Sequence, residues 1–448
     1  MHEDVLMVRY WNPDMEKLDQ KSIVELQNRK LRAMMRVQIS AHHAHYRGML
    51  EDQGIDVSDI AGVEDLHLLP FTTQDDVAKD PSSFVLTPSE SQTKGSGSLT
   101  SRMQYFFYDT MLDNPRVTRK MIDEYHPIMM FETRGTMTSP YYIYLTGYDV
   151  DIFKELCGRG AMCAGLTQND RYQNTYPYGQ YLDFWQAYYS TSISMRVCSM
   201  STGQQDPVAE LEAARRFKTT VVAGSPFNVY YFAREAARSK AEIGSIRKII
   251  LSGYAIDSDL KEKIRGYFSE AGANPEMLEM YSLTECKHPL PECAEGSGFH
   301  SYPDVLVWEC VDEKTGEVVG PGERGELVFT CIDGRGLTFL RYRTGDVAGG
   351  GIVYDTCNIC GRTVPRIIGP IKKAAGTDII PDIRMISRKL LDVEGVYCAF
   401  ATKMAGDTSR ILIKAMPDGT ITDEKVKENI IKSCGSKYSP AIRLEKYL

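Results

Sequence analysis

The sequence predicts an α/β protein: a large N-terminal domain of parallel and mixed sheets flanked by helices, carrying a barrel-like subdomain, followed by a small C-terminal α+β lid domain. Three observations lead there. Strand signals at residues 219–222 and 248–251 alternate with helical stretches at 206–216 and 257–271, the pattern of parallel strands joined by crossover helices. From 316 to 329 the pattern changes to short strands and turns bearing Pro321, Gly322 and Gly325, as in an antiparallel or barrel-like unit. Beyond about residue 369 the helix candidates 383–391 and 422–433 flank the strand candidates 396–403 and 411–415. A chain of 448 residues exceeds one simple core, so the domains are placed at 1–369 and 370–448.

Taken in order, residues 15–53 read as helices, with Ile23, Leu26, Ala33, Met34 and Val37 forming an apolar stripe. Residues 68–73 then lead into Gln74, Asp75 and Asp76, where Thr72 or Thr73 can cap the next helix. Two Ser/Thr/Gly-rich loops follow. The first, 93–102, contains Ser96, Gly97 and Ser98 and runs into the strand-like 103–108; the second, 133–140, contains Thr136 and Thr138 and precedes the strand-like 141–145.

The chain is 43% hydrophobic and 25% charged, with a formal charge of -8, as in an ordinary folded enzyme. That balance argues against a nucleic-acid partner. The N-terminus has no basic segment followed by an apolar run, and no stretch reaches the roughly 18 apolar residues that cross a bilayer. The expectation is a cytoplasmic protein without a membrane partner; a homodimer is compatible with the sequence. Of eleven cysteines, Cys157, Cys163, Cys198, Cys310, Cys331, Cys398 and Cys434 stand singly in apolar surroundings and read as free thiols. Cys357 and Cys360 are spaced as a metal knuckle, since thiolates two residues apart can grip one tetrahedral ion. Cys286, His288, Cys293 and His300 could supply the other half.

The order of further signatures is informative. Tyr10, Trp11, Asn12 and Pro13 come first, then the 69–76 segment, Tyr176-Pro177-Tyr178-Gly179, and Gly224-Ser225-Pro226. Leu251-Ser252-Gly253, Tyr281-Ser282-Leu283-Thr284-Glu285, the 322–329 stretch and Arg341-Tyr342-Arg343-Thr344-Gly345-Asp346 complete the series. Together they resemble the phenylacetate-CoA ligase branch of the adenylate-forming enzymes, from Tyr10 to about Gly369.

The resemblance implies an ATP-dependent ligase that activates a carboxylate, most naturally an aromatic one, as an acyl-adenylate. The acyl group would then pass to CoA, an amine or a carrier protein. Tyr281 would face adenine, Ser282 would line the nucleotide, Thr284 would reach the α-phosphate and Glu285 magnesium, while Asp346 would accept both ribose hydroxyls. Gly253 and Tyr254 resemble the loop along the adenine edge, although relatives usually carry an acid and a proline there. Tyr176, Tyr178, Gly179, Phe184 and Trp185 are acyl-pocket candidates, and each aromatic would serve equally well as core. Cys293 and His300 match the Cys-and-His pair of zinc-bearing relatives, with Cys286 and His288 as the fallback. A structural zinc on Cys293, His300, Cys357 and Cys360 would tie the segment after Glu285 to the segment after Asp346 and leave no open metal position.

Two features depart from the family. Its phosphate loop ends Gly-Lys-Pro, and neither loop here has that lysine; Arg102 or Arg134 could replace the charge, and the sequence does not decide between the loops. The family's Gly-Arg-x-Asp-Asp hinge is here Gly369, Pro370, Ile371, Lys372 and Lys373, and the tail holds Lys437 and Lys446 without a Gly-Lys at the family's catalytic place. Each lost charge-stabilising group typically costs a few kcal/mol of barrier. An acyltransferase or condensing enzyme without adenylation, or a non-catalytic binding protein, is therefore the alternative.

Overall fold

The computed structural model describes residues 9–88, 103–112, 116–133, 140–203, 206–374, 383–404, 407–435 and 442–444. β1 (Pro127–Glu132) and β2 (Tyr142–Thr146) form an antiparallel pair. β3 (Arg171–Asn174), β4 (Cys198–Ser201), β5 (Val221–Gly224), β6 (Lys248–Leu251), β7 (Glu276–Tyr281) and β8 (Leu290–Pro291) build a six-stranded sheet in the order β4-β3-β5-β6-β7-β8, parallel except for β8. β5 and β6 are buried throughout. Val222, Ile249 and Leu251 point into one apolar core with Phe232 and Phe268, whereas Val221, Ala223 and Ile250 point into another with Tyr172 and Phe184. That alternation is what a sheet covered by helices on both faces requires.

Strand-to-helix turns at the C-terminal ends of these strands are set by local chemistry. A Cβ on Gly224 would lie 2.2 Å from the Thr175 hydroxyl, so glycine is needed there. Ser225 then caps the Pro226–Arg238 helix by accepting from the Asn228 amide, with Pro226 in the first turn, where a missing N–H is harmless. Thr146 and Asp149 form a reciprocal capping box opening the Gly147–Cys163 helix.

After β9 (Phe299–His300), the strands β10 (Leu306–Val311), β11 (Gly325–Cys331) and β12 (Tyr342–Ala348) form an antiparallel sheet. β13 (Ile352–Val353) and β14 (Arg366–Ile367) pair with β9 as a three-stranded sheet, and β15 (Ile371–Lys373) adds to the free edge of β12. Beyond residue 382, β16 (Val396–Met404), β17 (Asp407–Pro417) and β18 (Ile442–Leu444) share a core with the Ile383–Leu390 and Asp423–Cys434 helices. Leu391, Tyr397 and Cys398 join the core beneath the Pro226–Arg238 helix, and Arg234 donates to the Leu391 carbonyl at 3.1 Å. No helix among the described residues is long and apolar enough to cross a membrane.

Two expectations are corrected. The strand-like 103–108 is helical, with a wide turn over Tyr105–Met111 in which the Leu112 amide bonds five residues back to Phe107. Phe106 and Phe107 stand exposed there, with no strand paired to them among the described residues, and aromatic β-propensity counts only where a neighbouring strand supplies packing. The N-terminal stripe also slips. The helix widens over Met34–Ile39, so Met35, Gln38 and Ile39 turn inward and Val37 is left 53% exposed.

Candidate active site

Residues at and just beyond the C-terminal end of β7 meet the side chains of β12. Tyr281 ends β7 and donates its hydroxyl to Asp346 Oδ2 at 3.0 Å. Asp346 is buried on β12 and pairs through Oδ1 with Lys373 Nζ at 2.8 Å. Burial, and then the Asp346 charge, push the Tyr281 hydroxyl well above its ordinary value, so it stays a donor.

Glu285, buried just beyond β7, accepts from Tyr141 Oη at 2.9 Å and Tyr342 Oη at 3.1 Å, with Gln74 Nε2 at 3.5 Å. Tyr342 and Asp346 both lie on β12, with a register irregularity at Gly345 (φ 67°) between them, and they reach Glu285 and Tyr281 respectively. Burial, and then the neighbouring Glu285 charge, raise both tyrosine hydroxyls far above their usual range. The site thus offers two carboxylates, Asp346 held by a phenol and an ammonium and Glu285 by two protonated phenols: the first can accept a diol, the second can present hard oxygens to a divalent ion.

Other residues of the Arg-Tyr-Arg-Thr-Gly-Asp stretch hold this site in place. Arg341 makes a two-pronged pair with Glu309 (3.1 and 2.9 Å), reaches the Leu69 carbonyl at 2.9 Å and stacks on Phe71. Thr344 donates to the Leu327 carbonyl at 2.8 Å. Ser282 donates to Gln186 Oε1 at 3.0 Å, and Gln186 Nε2 reaches the Lys287 carbonyl at 3.1 Å. Thr284 is half-buried beside Glu285.

The remaining site candidates fall as follows. Gly253 turns the chain after β6 with a φ of 90°, which glycine adopts without strain, and Tyr254 packs on Phe227 at 5.3 Å. Tyr176 is core, its hydroxyl donating to the Gly224 carbonyl at 3.1 Å. Tyr178 is 74% exposed over Phe184 and Trp185, whose indole N–H donates to the Gly179 carbonyl. Ser96, Gly97, Ser98, Arg102, Arg134, Thr136 and Thr138 lie outside the described residues, as do Lys437 and Lys446. The flanks of the second loop are described: the Thr133 amide donates to the Tyr141 carbonyl at 2.9 Å, and Thr133 Oγ1 accepts from the Tyr141 amide at 3.1 Å. That loop therefore springs from the residue whose hydroxyl holds Glu285.

Cys293, His300, Cys357 and Cys360 come together with their ligand atoms within 4.8 Å of one another. Cys293 Sγ lies 3.7 Å from Cys357 Sγ, and Cys360 Sγ lies 3.3 Å from His300 Nε2. Metal–sulfur bonds of about 2.3 Å and metal–nitrogen bonds of about 2.0 Å in a tetrahedron place ligand atoms roughly 3.5 to 3.8 Å apart, so the set fits a zinc ion and is too open for a disulfide. His300 Nδ1 faces the Pro291 carbonyl at 3.2 Å, which leaves Nε2 to coordinate. Thiol hydrogen bonds from Cys163 and Cys293, with His300 alongside, hold Cys360 far below the usual thiol range. Cys286 instead bonds the Leu283 and His288 carbonyls, and His288 is buried beside Phe153, so the fallback pair is not part of the group.

A brace around the knuckle escaped sequence reasoning. Arg362 pairs with buried Glu16 at 2.6 Å, Tyr10 donates to the Cys360 carbonyl at 2.8 Å, and Trp11 donates to Glu155 at 2.7 Å. A Cβ on Gly158 would meet the Trp11 ring at 2.6 Å, so that glycine admits the indole. The opening Tyr-Trp-Asn-Pro signature is thus a clasp joining the knuckle to the Gly147–Cys163 helix.

The AMP-binding enzyme family matches residues 150–338. A phenylacetate-coenzyme A ligase of Thermus thermophilus is 25% identical over 396 residues, covering 87% of this chain and 78% of that protein. A phenylacetate-coenzyme A ligase of Pseudomonas putida is 24% identical over 351 residues, covering 76% of this chain and 71% of that protein. The fold is that of a 2-hydroxyisobutyryl-CoA ligase solved with 2-HIB-AMP and CoA, at a TM-score of 0.67 and 17% identity, covering 100% of this chain and 90% of the other.

Proposed function

Because the chain is a phenylacetate-CoA-ligase-like member of the adenylate-forming superfamily, we propose that it activates a carboxylic acid with ATP as an acyl-adenylate and transfers the acyl group to CoA. The observation that carries this is the Tyr281–Asp346 contact at 3.0 Å, with Thr284 and Glu285 beginning the loop beyond it. Adenine lies against Tyr281, and the two ribose hydroxyls donate to Asp346. Thr284 donates to the α-phosphate as the acid's carboxylate oxygen attacks it and pyrophosphate leaves. Glu285 would hold a magnesium ion, which when bound would offset phosphate charge. The CoA thiol then attacks the acyl carbon and AMP departs.

We assign the phosphate loop to residues 133–140, because its flanks are anchored on Tyr141, next to Glu285. The exposed Tyr178 ring over Phe184 and Trp185 supports an aromatic acid, since flat apolar groups favour aromatic walls. A structural zinc on Cys293, His300, Cys357 and Cys360 would brace the β7 loop against β12. Eleven free cysteines support a reducing, cytoplasmic setting.

The direct test supplies ATP, magnesium, a panel of aryl and short-chain acids and, in separate arms, CoA, hydroxylamine or a carrier thiol, and follows AMP release. Acid-dependent AMP release with thioester formation, strongest for aryl acids and CoA, is the expected result. One observation favours the rival reading: both good donors to Glu285 are already the protein's own phenols. Acyl transfer from a preformed thioester, with no AMP from any acid, would install an acyltransferase instead.

A further inference from the structure

Lys373 is a lysine where the family's hinge carries acids, and the structure gives it a definite place. β15 runs antiparallel to β12 with Lys373 directly opposite Asp346, so the two side chains leave the same face of the sheet. Lys373 Nζ stands 2.8 Å from Asp346 Oδ1, and both side chains are largely buried, at 15% and 9% exposure. Lys372, one residue earlier, is exposed. The end of β15 is pinned by the Ala374 amide donating to the Gly345 carbonyl at 2.8 Å, which fixes the backbone from which the lysine reaches the acid. Tyr281, Asp346 and Lys373 therefore make a donor, acceptor, donor row.

This row suits a sugar diol beside phosphates. A carboxylate has about four lone-pair positions, and Tyr281 and Lys373 take one on each oxygen, which leaves one on each for a hydroxyl. The ammonium has three protons: one goes to Asp346 and a second lies toward the Thr344 carbonyl at 3.5 Å, which leaves one for a nucleotide. A buried carboxylate with no cation would repel an incoming polyphosphate, and an adjacent ammonium cancels that repulsion.

We propose that Lys373 is a positioning residue of the nucleotide site: it orients Asp346 toward the ribose hydroxyls and offsets its charge against the nucleotide's phosphates. The proposal rests on the reading of this place as an ATP site. Its test is calorimetric binding of ATP and of 2′,3′-dideoxy-ATP to the full chain and to its K373M, K373R and K372M variants.

The wild-type chain should prefer ATP to the dideoxy nucleotide. K373M should bind ATP about tenfold more weakly and lose most of that preference, because the residue acts through the sugar. K373R should recover most of both, and K372M should match the wild type. In turnover, K373M should raise the KM for ATP and leave the KM for the acid alone. If K373M fails to fold, K373Q carries the same expectations. Undiminished or tighter ATP binding by the methionine variant overturns the role, the latter by making Lys373 an occluding group. A wild-type chain that binds no adenine nucleotide overturns the functional reading and this role with it.

Discussion

Removing the Tyr342 hydroxyl probes the site most sharply. Tyr342→Phe deletes one of the two good donors to Glu285, the 3.1 Å bond, together with the 3.1 Å contact to Tyr141, and leaves the ring packed on Phe339 and Phe329. A hydrogen bond to a charged group is worth about 1.5–3 kcal/mol, and tenfold in rate corresponds to about 1.4 kcal/mol. Part of that loss is recovered because Tyr141 still donates at 2.9 Å. The single variant should therefore lose about tenfold in kcat/KM for ATP and need more magnesium for half-maximal rate. Tyr141→Phe should do the same, and the double variant should lose more than the product of the two, since each hydroxyl partly substitutes for the other. The assay is initial-rate kinetics at saturating acid across a magnesium titration, with melting curves to check folding. Wild-type kcat/KM and magnesium requirement in Tyr342→Phe would refute the idea that these phenols orient a working carboxylate.

Three further outcomes follow from the buried charges and the knuckle. Burial holds His43 and His288 down to about 3, so below the ordinary histidine pKa of about 6.5 the unfolded chain takes up protons that the folded chain refuses. Stability is then complete above that value and falls as pH drops toward 3, by up to about 1.4 kcal/mol per pH unit for each histidine; urea titrations of His288→Gln should show a shallower acid slope, and an unchanged slope would count against the burial argument. Asp149→Ala strands buried Lys287 and the Arg335 and Gly336 amides, and should cost about 3–5 kcal/mol in denaturant unfolding, whereas a cost below about 1 kcal/mol would contradict the pairing. Elemental analysis should find one zinc per chain, lost in Cys360→Ser, and Cys163→Ala should weaken zinc about tenfold in chelator competition; a metal-free chain with an unchanged melting temperature would remove the metal site.

Much of the site is legible in the sequence for identifiable reasons. Tyr281, Thr284 and Glu285 form one short run, and the Cys357–Cys360 spacing limits what else the four metal candidates can do. Tyr342 stands in the same short run as Asp346, but the strand irregularity at Gly345 between them hides from the sequence which way each side chain faces. Tyr141, Gln74, Gln186 and Lys373 were out of reach, since they arrive from distant segments and only tertiary packing brings them to the site. The wide turns at Met34–Ile39 and Tyr105–Met111 were missed because inserting one residue per turn leaves no mark in composition while it rotates everything that follows. Tyr176 is buried with its hydroxyl on the Gly224 carbonyl, a contact that the Tyr-Pro-Tyr-Gly run does not reveal.

The measurement closest to the heart of this chemistry is exchange of labelled pyrophosphate into ATP, run with and without an aryl acid and without CoA. Exchange that appears only when the acid is present, and that falls sharply in Asp346→Ala, is the predicted result. Exchange absent with every acid, in a chain that still binds ATP, would contradict acyl-adenylate formation.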